Sequence, residues 1–365
     1  MSVYNKYTVY IILLVTIILI FTGCKNDDNR EIVNTKLTCL NSIEIGLEAD
    51  VLFINDEYVL YKESNSKEIN ISVDKLFMKN MDTCTVVEIS LGDEYEILDA
   101  IIYNGKIYAS VYNGTVAKII EFSMSGNNKI IETFSSTFLY NYNTAPYFQK
   151  EGNILIYSFY SSNEKGVSVG GIKKLNLDTL EITIVNQFEE KSGFSFLTNR
   201  ICVSEGNVFH FVEKNSQAIL EGFSLTGEVY YSLKLPENYK MYEYDFINEK
   251  MVLSLSVNEE TANWTNEICI IDLKTNDFMK KDISILNNGE RVENEFPIFS
   301  IYALKDDFII GIDENFNIVK FEIQNILKTN KIFEQHEGIN NIIKLQNGLG
   351  IHNFKDGYLY IYTID

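Results

Sequence analysis

Residues 270–277 read IIDLKTND: two apolar residues, an aspartate, a short polar turn, and then Phe278 and Met279, which resume the apolar pattern. The same arrangement stands at 174–181 (KLNLDTLE), 222–228 (GFSLTGE) and 121–128 (EFSMSGNN), with a looser copy at 75–83 (KLFMKNMDT). With the turns set at Asp82, Gly126, Asp178, Thr226 and Thr275, the copies are spaced by 44, 52, 48 and 49 residues. Earlier hairpin turns stand at Asn104-Gly105, Glu151-Gly152, Glu205-Gly206 and Asp306-Asp307. Short apolar or alternating runs separated by Gly, Asn and Asp are the pattern of antiparallel strands joined by tight turns. The repeating unit is therefore strand, turn, strand, loop, strand, turn, strand.

A four-stranded antiparallel unit recurring every 40 to 50 residues or so is the mark of a β-propeller blade. The segment Ile271 to Thr275 also resembles the repeats of YVTN-type and quinoprotein-type propellers, and this resemblance implies the fold. The tryptophan that ends each quinoprotein blade is missing, since the chain has one Trp, so no cofactor is carried over. Six units are legible at 51–91, 96–135, 146–188, 195–235, 242–285 and 297–334. Residues 340–365 hold three further strands (NNIIKLQ, GLGIHNF, GYLYIYTID), and residues 37–45 (LTCLNSIEI) supply a fourth. The expectation is an all-β propeller over 36–365 with seven four-stranded blades, the last completed by the N-terminal strand. Six or eight blades are the neighbouring counts, and a long sandwich array is the rival fold.

Composition removes several classes. The chain has 365 residues, 46% hydrophobic and 13% aromatic, enough apolar surface to offset chain entropy, so disorder is not expected. A formal charge of −20 repels phosphate and argues against nucleic acid. The single long apolar run, residues 9–21 (VYIILLVTIILIF), is 13 residues, short of the roughly 20 a spanning helix needs. It reads as the core of a signal peptide over 1–23. The run ends in Phe21-Thr22-Gly23-Cys24, which resembles the lipobox of bacterial lipoproteins. That resemblance implies cleavage before Cys24, lipidation of Cys24, attachment to the membrane and an extracytoplasmic location. Residues 24–35 are polar and read as a tether, of which about 11 residues extend at most ~36 Å. Cys39, Cys84, Cys202 and Cys269 form no CxxC pair; three pairings are open, and free, buried thiols are the expectation.

In a propeller the connections between units and the loops between second and third strands open on one face. The connections here are aromatic: 138–148 (FLYNYNTAPYF), 194–196 (FSF), 239–246 (YKMYEYDF) and 296–302 (FPIFSIY). Tyr140, Tyr142, Tyr239, Tyr242 and Trp264, in or beside polar loop sequence, are the candidate ligand contacts, because their rings bring apolar area with a hydrogen-bonding tip. Arg291, in the loop LNNGERVENEFP, joins them as a partner for anionic groups, and Arg200 is a second arginine of interest. Phe148, Phe196, Phe246 and Phe299 read as packing between units.

Catalytic and metal chemistry find little footing. Gly166 to Gly170 (GVSVG) matches a nucleophile elbow, but the residues that follow read as a strand, whereas the elbow needs a helix. His210, His336 and His352 have no metal-ligand spacing, and His210 and His352 read as satisfied strand histidines. Asp313 to Asn317 opens like a calcium loop but lacks its glycine and distal glutamate. No cofactor and no metal are therefore expected. The function read from the sequence is a membrane-anchored binding or protein-interaction module for an envelope protein, peptide or glycan. The competing class is an extracellular hydrolase or lyase acting on envelope polysaccharide or peptide.

Overall fold

The computed structural model describes residues 37–65, 73–91, 95–113, 116–123, 127–135, 148–162, 168–189, 194–196, 201–204, 206–214, 217–235, 239–247, 250–257, 264–282, 285–287, 290–292, 298–303, 308–313, 318–322, 330–333, 339–345 and 348–364. Strand β1 (Leu37–Glu44) comes first. Sheet I follows as β2 (Ala49–Ile54), β3 (Tyr58–Asn65), β4 (Val73–Asn80) and β5 (Val86–Ile89). Sheet II is β6 (Glu96–Tyr103), β7 (Lys106–Tyr112), β8 (Val116–Ser123) and β9 (Asn128–Ser135). Sheet III is β10 (Phe148–Glu151), β11 (Ile154–Ser162), β12 (Ser168–Asn176) and β13 (Ile182–Glu189). Sheet IV holds β14 (Phe194–Phe196), β15 (Cys202–Ser204), β16 (Asn207–Lys214), β17 (Gln217–Ser224) and β18 (Val229–Lys234). Sheet V is β19 (Tyr239–Ile247), β20 (Lys250–Val257), β21 (Trp264–Asp272) and β22 (Phe278–Asp282). A two-stranded ribbon, β23 (Ile285–Asn287) and β24 (Glu290–Val292), precedes sheet VI, which is β25 (Ile298–Ala303), β26 (Phe308–Asp313), β27 (Ile318–Glu322) and β28 (Asn330–Phe333). Sheet VII runs β29 (Ile339–Leu345), β30 (Gly348–Asn353), β31 (Tyr358–Ile364), with β1 beside β31.

Sheets I to VI each follow chain order, and the pairings within them are antiparallel. Sheet IV has a divided first strand: β14 pairs Val212–Lys214 and β15 pairs Asn207–Phe209, the two ends of β16.

The turn that marks the repeat has a side-chain mechanism. Asn80, Asn176 and Asp272 each end a third strand, and each side-chain oxygen accepts the N–H groups two and three residues on. These Asx turns let the chain reverse without losing its main-chain partners. The fifth residue of each turn takes a left-handed conformation: Cys84 at φ 57°, Leu180 at 61° and Asn276 at 60°. Ser224 takes the same place in sheet IV, where its hydroxyl accepts from Glu228 N–H and Gly227 supplies the positive φ. The sequence repeat is thus a repeat of turn chemistry.

Each core cluster draws on two successive sheets. Leu60, Leu76 and Met78 of sheet I meet Ile97, Ile107, Val111 and Phe122 of sheet II. Tyr108, Ile119 and Phe134 of sheet II meet Phe148, Leu155, Tyr157 and Leu175 of sheet III. Ile156, Ile172 and Val185 meet Val208 and Phe223 of sheet IV, and Phe209, Phe211 and Leu220 meet Met251, Cys269 and Ile271 of sheet V. Ile43, Leu359 and Ile361 of sheet VII pack with Ala49, Val51, Val59 and Tyr61 of sheet I, so the two ends of the domain share one core. Strand alternation explains this: successive residues point to opposite faces, and both faces of a sheet are covered by its neighbours. Within sheet III, Gly171 of β12 admits no side chain, since a Cβ there would stand 2.1 Å from Asn186 O of the adjacent strand β13.

The outermost strands carry safeguards against further pairing. β9, β13, β18 and β28 each hold an extra residue in a bulge: Ile131, Val185, Tyr230 and Ile332. β5 has only four residues, and β22 carries Lys280 and Lys281. Bulges, shortness and lysines all hinder edge-to-edge association.

The cysteines depart from expectation. All four are free thiols, but only Cys269 is buried; Cys202 is half-buried, and Cys39 and Cys84 are exposed. Cys39 sits on an outer strand and Cys84 in a left-handed turn, positions the apolar character of cysteine does not decide.

Candidate functional site

The first strands of the sheets share a second kind of bulge. In β2, β6, β19, β25 and β29 the extra residues are Leu52, Leu98, Tyr242, Phe299 and Asn340. A bulge re-aims side chains and often borders a functional site. All five lie within four residues of the start of their strands, at the ends fed by the connections between sheets.

Between sheets I and II, two of these bulges border a cleft of about 260 Å³ lined by Asp50, Val51, Leu52, Lys62, Glu96, Ile97, Leu98 and Asp99. Lys62 Nζ lies 3.3 Å from Asp74 Oδ2 and 3.8 Å from Asp50 Oδ2, and donates to Ile97 O at 2.7 Å. Asp74, behind Lys62, is buried, accepting from Ser64 Oγ at 2.7 Å and from Ile97 N–H at 2.7 Å. Sheet I thus grips the first strand of sheet II through one carboxylate and one ammonium. Asp99 repeats the device one sheet on: its carboxylate accepts Phe148 N–H at 2.7 Å and Ala100 N–H at 2.8 Å, joining sheet II to sheet III.

Burial pushes the Asp99 carboxyl up to about 7, against the pull of the Phe148 and Ala100 amides and of Lys62. Burial also raises Glu96, opposed by Lys62 and reinforced by Asp74. The site is therefore a half-enclosed, carboxylate-rich cleft with one engaged ammonium, suited to a positively charged group. Among the described residues, no three His, Cys, Asp or Glu side chains are placed to hold a metal ion.

The Asp99 shift has a testable sign. A carboxyl whose folded pKa is raised binds protons more tightly folded than unfolded, so stability falls as pH rises from about 4 to about 7 and is level above that. Asp99→Asn should remove this slope, a difference on the order of 2–4 kcal/mol across the window. Denaturant unfolding of both proteins at pH 4.5, 6 and 8 reads it; parallel profiles would refute the assignment.

The residues singled out from sequence fall as follows. Cys24, Tyr140, Tyr142, Arg200 and His336 lie outside the described residues. Tyr239 opens β19 opposite Val257, and Tyr242 is the bulge residue of that strand, so both belong to a strand rather than to a connection. The alternation in 239–246 that looked like loop sequence suits a pleated strand. Trp264 opens β21 opposite Ser256. Arg291 lies in β24 opposite Leu286, in the ribbon instead of an open loop. The structure brings Tyr242 to the same bulge position as the cleft residues Leu52 and Leu98. Phe148 is buried and meets Tyr157 edge-on at 6.3 Å, as packing between units requires. His210 is buried beside Glu221, and His352 Nε2 lies 2.9 Å from Gly46 O. Ser168 opens strand β12, so a strand, not a helix, follows it.

Sequence reasoning passed over Asp50, Lys62, Asp74, Glu96 and Asp99. The signal was a charged residue inside an apolar strand, as in EILDAIIY at 96–103, where a carboxylate has to find partners.

No protein-family model matches the chain, and no curated protein matches it by sequence. Solved structures do match. The β-propeller domain of the Trilobed protease from Pyrococcus furiosus is 13% identical with a TM-score of 0.56, covering 90% of this chain and 94% of that one. BamB from Moraxella catarrhalis is 11% identical with a TM-score of 0.52, covering 90% and 99%. A chain of a Mitotic Checkpoint Complex is 8% identical with a TM-score of 0.54, covering 91% and 93%. With its repeated four-stranded antiparallel sheets, the fold is that of a β-propeller.

Proposed function

We propose that this protein is a lipid-anchored, extracytoplasmic binding module, and that the cleft between sheets I and II receives a positively charged group of an envelope protein or peptide. The observation that carries the reading is the cleft itself, where Asp50, Glu96 and Asp99 stand around the single ammonium of Lys62. The chain's charge of −20 would steer a basic partner toward it. We read the seven multistranded sheets as seven blades, the last completed by β1. The lipobox-like Phe21 to Cys24 after an apolar run supports attachment through lipid on Cys24, with residues 24–35 as the tether. Propeller likeness to a chain of a Mitotic Checkpoint Complex is in keeping with a role in protein assembly.

Affinity capture from detergent-solubilised envelope tests this, with the full chain as bait beside two variants. Glu96→Gln with Asp50→Asn should lose a basic partner, and raised salt should weaken its capture at least severalfold. Tyr142→Ala with Tyr242→Ala and Trp264→Ala tests the aromatic residues singled out from the sequence. Equal capture by all three baits would end the cleft assignment. Fatty-acid labelling of the protein, abolished by Cys24→Ser, tests the anchor separately.

A further inference from the structure

The charges of the cleft between sheets I and II do not balance. Asp50, Glu96 and Asp99 line it, and Lys62 is the one ammonium among the lining residues. That ammonium is already engaged with Asp74, Asp50 and the Ile97 carbonyl. Asp99 is held instead by two main-chain amides, those of Phe148 and Ala100. Both amides suit either form of the carboxyl, since a protonated carboxyl keeps acceptor capacity and gains one O–H donor. An acceptor for that O–H stands on the neighbouring strand. Ser110 of β7 is directly opposite Asp99, so the two side chains share a face, with Cβ atoms roughly 4.5–5.5 Å apart. Ser110 is fully buried, and its hydroxyl has no hydrogen-bond partner among the described residues. Buried hydroxyls are normally paired, so an unpaired one beside a carboxyl marks a place where a proton can be received.

We propose that the cleft takes in its basic group in exchange for a proton carried by Asp99, so that the protein binds near neutral pH and releases on acidification. The inference rests on the reading of the cleft as a cation site. In the empty cleft the Asp99 O–H donates to Ser110 Oγ. When an ammonium or guanidinium enters, that O–H bond breaks and the proton leaves to solvent. The carboxylate then pairs with the incoming cation, which keeps its own charge. Burial, which holds the Asp99 carboxyl up at about 7, sets the pH at which this exchange occurs. The surrounding charges act in the same sense. Asp50 on β2, Asp74 on β4 and Glu96 on β6 favour the proton as like charges, and Lys62 on β3 opposes it. From β10 the Phe148 amide faces Asp99, while Lys150 lies over the ring of Tyr103 at the end of β6. Lys118 of β8 is turned to Tyr95. His352 of sheet VII is kept neutral by burial, against the pull of the Gly46 carbonyl and of Asp50.

Calorimetric titration of the full chain with an N-acetylated trilysine amide tests this, at pH 6, 7 and 8 and in two buffers of different ionisation heat. Binding should weaken about tenfold from pH 8 to pH 6, with about one proton released per bound peptide at pH 6. Asp99→Asn removes the proton site together with a buried charge, so it should fold and bind with no dependence on pH or buffer. Glu96→Gln should weaken binding yet keep the slope with pH. Ser110→Ala should move the slope to lower pH, because the acid form loses its acceptor. Binding that is lost in Asp50→Asn with Glu96→Gln but is level with pH, or a slope that persists in Asp99→Asn, would overturn the proton exchange and leave the cleft reading standing. Binding indifferent to the double variant, or absent at every pH, would overturn both.

Discussion

Replacing Lys62 with methionine is expected to destabilise the protein by about 3 kcal/mol or more, because removal of one member of a buried ion pair strands the other. Asp74 is the reason: its side chain is fully buried, and Lys62 is its charged partner at 3.3 Å. Ser64 Oγ–H and Ile97 N–H still donate to the carboxylate in the variant, so its hydrogen bonds persist while its charge goes uncompensated. The expected relief is a second substitution. Lys62→Met with Asp74→Asn should recover most of the loss, since a neutral pair in place of a buried ion pair is often close to neutral in stability. Guanidinium unfolding of the three proteins makes the comparison. A loss under about 0.5 kcal/mol for Lys62→Met, the range of an ordinary surface change, would mean that the ammonium does not hold sheets I and II together.

Leu359→Ala is expected to cost about 3 kcal/mol, the usual range for a leucine truncated in a closed core being roughly 2–5. Leu359 lies on β31, fully buried, in the cluster that joins Ile43 and Ile361 to Val51, Val59 and Tyr61. This cluster is where the first and last parts of the chain meet, so its loosening should be felt throughout the domain. Lys79 Nζ, which donates to Glu44 O, adds a second link between sheet I and β1. Ile184→Ala is the control: an apolar residue of the outer strand β13, exposed, expected to change stability by less than about 0.5 kcal/mol. Equal effects at Leu359 and Ile184 would mean that the sheet VII core does not bear on folding.

The strand pattern was legible because it is local. Asn176 and Asp272, followed by Leu-Asp-Thr and Leu-Lys-Thr, bend the chain through contacts within four residues, and such contacts recur wherever the same side chains recur. Units expected at 51–91, 96–135 and 297–334 fall on sheets I, II and VI for the same reason. Tyr239, Tyr242 and Arg291 were less legible, since aromatic and polar residues suit a strand or a loop equally, and pairing across the sheet decided between them.

The amino-acid sequence by itself determined the all-β character, the four-strand period, the turn positions and the strong negative charge, all of which depend on neighbours along the chain. Tertiary structure alone decided that Asp50, Lys62, Glu96 and Asp99 line one cleft, with Asp74 buried against Lys62. The lining comes from two strands of sheet I and one of sheet II, and its shape depends on the bulges at Leu52 and Leu98. A bulge is set by the register between two strands, a long-range property that no short stretch of sequence encodes.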